Sequence, residues 1–119
     1  MRVLLADSDS ARRSVLLREL LNAGFDVHSC ATARDALIGA TSFKAEVFLI
    51  EVILSDQTAY GLVRSLRKQE QFSDVPIVIY TAHGEMQPSS VELKQLGIHA
   101  FLHWPFEARH FTAVLLNAS

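Results

Sequence analysis

Residues 47–51 read Val-Phe-Leu-Ile-Glu, and this stretch decides the fold. Four apolar residues in a row leave no polar face, so a strand built from them is buried on both sides. The run then meets an acid, Glu51, at its carboxyl end. The same signature recurs on either side. Residues 3–6 (Val-Leu-Leu-Ala) lead into Asp7, residues 77–80 (Ile-Val-Ile-Tyr) into Thr81, and residues 100–102 (Ala-Phe-Leu) into His103. Each of these runs is expected to be buried on both faces. Residues 25–30 alternate apolar and polar positions and read as an edge strand.

Helical spacing fills the gaps. Residues 10–23 place Val15, Leu16, Leu17, Leu20 and Leu21 on one side, and Gly24 follows as a stop. Thr32 is the expected N-cap of a helix reaching about Ala40. Further helices are expected over 59–70, 88–96 and 107–117. Five strand–helix units in alternation predict an α/β domain with a parallel sheet covered on both faces. In such a sheet the site lies at the carboxyl ends of the strands. Asp7-Ser8-Asp9, Glu51, Thr81-Ala82-His83 and His103-Trp104-Pro105 are therefore the candidate site residues.

Composition narrows the function. The chain has 119 residues, room for one domain (1–119) and one core. Eleven Lys plus Arg against thirteen Asp plus Glu give a net charge of −2, so no basic excess points to nucleic acid. The single cysteine, Cys30, excludes an internal disulfide and a cysteine-based zinc site, and it fits a reducing, cytoplasmic setting. No apolar run approaches the length of a membrane span. Five histidines are scattered without metal-ligand spacing. No G-x-G-x-x-G or P-loop lysine supports a nucleotide-binding enzyme.

The segments LLADSDS (4–10), FLIEVILSDQTAYG (48–61), VPIVIYTA (75–82) and GIHAFLHWPF (97–106) together resemble the receiver domain of bacterial response regulators, CheY-like modules, along the whole chain. The resemblance implies a flavodoxin-like doubly wound (βα)5 fold with strand order 2-1-3-4-5. It also implies two-component or phosphorelay signalling, in which an aspartate takes a phosphoryl group with Mg²⁺ bound by an acidic pair. Carried over singly, Asp7 matches the first acid of that pair, but Ser8 stands at the second. Asp9 is adjacent and expected to aim elsewhere. Glu51 stands at the acceptor position, Thr81 at the hydroxyl position, and Trp104 at the lysine position, with Pro105 and Phe106 kept. Ser55 and Ala59 replace the family's usual proline and glycine.

These departures predict a pseudo-receiver. A neutral hydroxyl is a poor magnesium ligand, and an indole carries no charge. Losing one preorganised partner typically costs roughly 10²–10³ in rate. The expected function is interaction without phosphorylation and without catalysis, and any Mg²⁺ binding, by Asp7 and Glu51, is expected to be weak. An impaired receiver using Glu51 is the alternative. Glu51 has two readings: a partial mimic of the phosphorylated state, or a polar residue at a silent site. Trp104 is read as a plug of the vacated lysine pocket, with an interface anchor as the other reading. Arg12 and Arg13 are read as a kinase-contacting or solvated helix face. The resemblance puts the output face, with switch residues Thr81, Phe101 and His103, on the fourth helix, fifth strand and fifth helix (about 88–117). Its partner would be a signalling protein, the chain's own output domain, or a second copy as a homodimer. The domain itself reads as the N-terminal module of a longer protein or as a stand-alone unit.

Overall fold

The computed structural model describes residues 1–84 and 90–117. Five strands, β1 (Arg2–Ala6), β2 (Asp26–Cys30), β3 (Val47–Glu51), β4 (Ile77–Thr81) and β5 (Ala100–His103), form one parallel sheet ordered β2-β1-β3-β4-β5. Five α-helices alternate with them: α1 (Ser10–Asn22), α2 (Ala33–Phe43), α3 (Ala59–Arg67), α4 (Ser90–Gln95) and α5 (Ala108–Asn117). The doubly wound order implied by the family resemblance is the order found.

Strand pleating splits the apolar runs between two cores. Leu4, Ala6, Phe48, Ile50, Ile77 and Ile79 face α2 and α3, where Ala36, Ala40, Leu62 and Leu66 meet them. Val3, Leu5, Val47, Leu49, Val78 and Tyr80 face the other way, onto Leu16 and Leu20 of α1 and Phe111 of α5. Small residues on α2 let that helix lie close against the sheet, and α2 runs on to Phe43, past the expected end near Ala40. Lys44 closes it in the left-handed conformation (φ 58°).

Three boundaries differ for physical reasons. The helix expected over 59–70 ends at Arg67, and a 3₁₀ turn (Glu70–Phe72) folds Phe72 under Phe48. The β5 run is only half-buried, and His103 is exposed, because β5 is the second edge of the sheet. The first two residues of the helix expected over 88–96 lie outside the described residues, and its helical part is Ser90–Gln95. No helix among the described residues is long and apolar enough to cross a membrane.

One side chain ties the lower end of this structure together. Arg67 donates from Nε to the Leu96 carbonyl (2.9 Å), from Nη1 to Phe72 and Val75 (both 2.8 Å), and from Nη2 to Gly97 (3.0 Å). It thereby joins α3, the 3₁₀ turn and the α4–β5 connection. The pocket it borders lies at the strands' amino ends, away from the expected site.

Candidate functional site

At the opposite end, β1 and β3 deliver Asp7 and Glu51 side by side, because the two strands pair in register from Val3–Val47 to Ala6–Ile50. Both carboxylates are fully buried, as is Thr81 at the end of β4. Two buried acids this close need compensation. It comes from Arg12, one turn into α1.

Local sequence places Arg12 there. Asp9 is the N-cap of α1, and its carboxylate accepts from the Arg12 N–H (2.9 Å). This turn aims the Arg12 side chain back over the end of β1. Its Nε donates to Asp7 Oδ2 (2.6 Å) and its Nη2 to Asp7 Oδ1 (2.9 Å), a two-pronged grip of the kind that makes Arg–carboxylate pairs strong. The same Nη2 lies 3.6 Å from Glu51 Oε2. The hydrogen-bonded Asp7 carboxylate in turn raises the Arg12 pKa above its ordinary value. Arg13 adds a bond from Nη1 to the Asp7 carbonyl (2.7 Å).

The remaining capacity of Asp7 is filled as well. Oδ1 accepts from the Asp9 N–H (2.9 Å), and Oδ2 accepts from the Tyr80 hydroxyl (2.6 Å). Burial, followed by the Asp7 charge, pushes the Tyr80 phenol far up, so it stays a donor. Glu51 is held by backbone: Ile53 N–H donates to Oε1 and Ala82 N–H to Oε2, both at 3.2 Å. Burial, with the nearby Asp7 charge, raises the Glu51 pKa above its ordinary value, against the lowering by these donors and Arg12.

That raised value has a sign that can be tested. A carboxyl favoured in its neutral form by folding stabilises the protein fully below the ordinary glutamate pKa of about 4.3. The contribution is lost as pH rises from there through the raised folded value. The difference in unfolding free energy between the protein and Glu51→Gln is therefore expected to fall across that window. Urea unfolding at a series of pH values measures it, and a flat difference counts against the assignment.

The other candidate residues take separate roles. The Ser8 hydroxyl donates to the Ala31 carbonyl and accepts from the Ser55 N–H (2.9 Å), so it joins three loops. Asp9 is exposed and serves as the N-cap of α1, a role the sequence reading did not assign. Thr81 Oγ1 accepts from the His83 N–H (2.9 Å), and its carbonyl accepts from Trp104 N–H (2.7 Å). Phe101 packs half-buried on the α3 side, edge-on to His103 (5.6 Å). Trp104 precedes a cis peptide to Pro105 and stacks edge-on against Phe106 (5.9 Å). It packs with the α1–α5 core, whereas the hydrogen bonds of the two acids go to Arg12, Tyr80 and backbone. The expectation that Trp104 plugs the site is thus corrected: a helix-borne guanidinium covers the acids. Among the described residues, no three His, Cys, Asp or Glu side chains gather as a metal site. Cys30 is buried, and burial pushes its thiol up to about 11, the behaviour of a packing residue.

Arg12 and Tyr80 were not read as site residues from sequence. A signal existed for Tyr80: a hydroxyl inside an all-apolar buried run requires a partner, and the acids at the ends of β1 and β3 are candidates for it. Arg12 gave no comparable signal, since an arginine in a first helical turn is ordinary.

A family model described as "Response regulator receiver domain" matches residues 3–116. The chain is 29% identical over 111 residues to the transcriptional regulatory protein GltR of Pseudomonas aeruginosa, covering 93% of this chain and 46% of that protein. It is 31% identical to the luminescence regulatory protein LuxO of Vibrio campbellii, covering 92% of this chain and 24% of that protein. It therefore spans less than half the length of these two curated relatives. Among solved structures, the chemotaxis response regulator CheY4 of Vibrio cholerae superposes with a TM-score of 0.86 at 27% identity, covering 99% of this chain and 98% of that one.

Proposed function

Starting from the fact that this chain belongs to the response regulator receiver domain family, we propose that it is a receiver that signals by contact and does not take a phosphoryl group. One observation carries the reading: Arg12 grips both oxygens of Asp7 and reaches toward Glu51. Receiver chemistry needs acids that are open to a metal ion and an acceptor free to attack. Here the acids already hold a cation.

The donor set argues against magnesium. Mg²⁺ demands a near-octahedral shell of hard oxygens and binds through one or more free carboxylates. Both Asp7 oxygens accept from a guanidinium, and one of them also from a phenol. Ser8, at the position of the second acid, is tied to Ala31 and Ser55. A metal ion would have to displace Arg12 and leave its positive charge nearby. The Glu51 carboxylate is held by two backbone donors, and its extra methylene moves it from the acceptor's place. A misplacement of about 1 Å can cost about a hundredfold.

The partner is then a signalling protein, a second copy, or an output domain carried on the same protein. GltR and LuxO are regulators in which the matched part is a minority of the length. The face formed by α4, β5 and α5 is the proposed output surface, with Phe101 and His103 on it.

Incubation with acetyl phosphate and Mg²⁺, read by intact mass, is expected to leave the protein unmodified. Mg²⁺ alone is expected to leave the fluorescence of Trp104, the single tryptophan, unchanged. A gain of one phosphoryl group mapped to Glu51 overturns the proposal in favour of an impaired but working receiver.

A further inference from the structure

A groove of about 390 Å³ lies between α1 and the start of α5, away from the buried acids. Val15, Trp104, Pro105 and Phe106 give it apolar walls. Glu19, from the C-terminal half of α1, and His110 complete it, with Glu107 beside them. The acids are not equivalent. Glu107 already pairs with Arg109 at 2.5 Å on the surface. Glu19 is half-buried, and its Oε2 is a buried oxygen without a hydrogen-bond partner among the described residues. Buried polar atoms are nearly always paired, and an unpaired acceptor of a charged group is costly.

An apolar slot with one unmatched carboxylate and an indole beside it fits one kind of side chain. Arginine has an aliphatic stem for Val15 and Phe106, a planar cation for the face of Trp104, and donors for Glu19. Lysine offers the charge without the stacking plane. Phosphate and other anions are disfavoured by Glu19 and Glu107.

We propose that this groove is the docking site for an arginine side chain of a partner protein, presented between apolar residues, with Glu19 as its counter-charge and Trp104 as its stacking surface. The inference is independent of whether Glu51 takes phosphate, because the side-chain hydrogen bonds and ion pairs of Asp7 and Glu51 run to Arg12, Tyr80 and backbone N–H groups outside the groove. Trp104 thereby gains a role on the outer flank of the site.

The test uses two probe peptides, acetyl-Leu-Arg-Leu-amide and the same peptide with citrulline in place of arginine. Citrulline keeps the shape and removes the charge. Titration of the 119-residue chain, read by Trp104 fluorescence, is expected to show the arginine peptide binding at least about tenfold more tightly, the scale of one charge-assisted contact. Glu19→Gln is expected to erase that difference while far-UV circular dichroism stays unchanged. Equal response to both peptides, or none to either, overturns the proposal on the unaltered protein alone, whatever the variant does. A self-associated dimer in sedimentation, lost in Glu19→Gln, also overturns it, by assigning the groove to a second copy. Phosphorylation of Glu51 in the preceding experiment leaves this result untouched, so the two proposals fail separately.

Discussion

Arg12→Met is expected to lower the unfolding free energy by about 3–5 kcal/mol, the usual loss when one partner of a buried ion pair is removed. The variant leaves Asp7 and Glu51, both fully buried, without their shared cation. Arg12 itself is 18% exposed, so solvent relieves little of the loss. For a domain of this size the shift in melting temperature is roughly 10–20 °C. The cause can be separated from lost packing. If uncompensated charge is responsible, adding Asp7→Asn to Arg12→Met restores a substantial part of the loss, and the double-mutant cycle shows strong coupling. A loss of under about 1 kcal/mol, or strict additivity, would show that Arg12 is an ordinary surface residue and would remove the main support for a self-neutralised site.

The second large effect sits at the other end of the sheet. Arg67→Met removes donors from four carbonyls, those of Phe72, Val75, Leu96 and Gly97. The expected loss is about 2–4 kcal/mol, smaller than for Arg12 because carbonyls carry no net charge and those at the surface find water. The effect is also local in a checkable way. Gly97, at φ 64°, and its neighbours lead into β5, so hydrogen exchange in residues 94–99 is expected to quicken more than in β1 or β3. Uniform quickening across the sheet would mean that Arg67 contributes only to overall stability.

The sheet was legible because its evidence is local and repeated. Fully apolar runs ending in polar residues require buried parallel strands, and alternation with helices leaves few ways to connect them. The edge character of β5 was hidden because Ala100, Phe101 and Leu102 look like any central run; only its place in the strand order exposes it. The site was legible by position and not by charge balance. Asp7, Glu51 and Thr81 could be placed from their strand ends. The cation could not, because Arg12 belongs to a helix face, and its aim depends on the Asp9 cap and the angle of α1 over β1. Trp104 misled for a related reason: its position along the chain was right, but the edge-to-face stack with Phe106 turns the indole toward α1 and α5. Glu19 gave no sequence signal, since a glutamate on an amphipathic helix is unremarkable until its oxygen is seen to be buried.

On the proposed reading, the placement of the cation on α1 also governs what phosphate chemistry at this site would need. Ser8→Asp, Glu51→Asp and Trp104→Lys together would rewrite the three positions of the acid, acceptor and lysine that depart from the family's pattern. They would leave Arg12 on Asp7, now with a lysine competing for the same acids. Phosphate chemistry on that reading requires an eviction as well as three substitutions, and the order matters. Removing Arg12 first leaves two buried acids without their cation. Installing the lysine first crowds two cations against the acids.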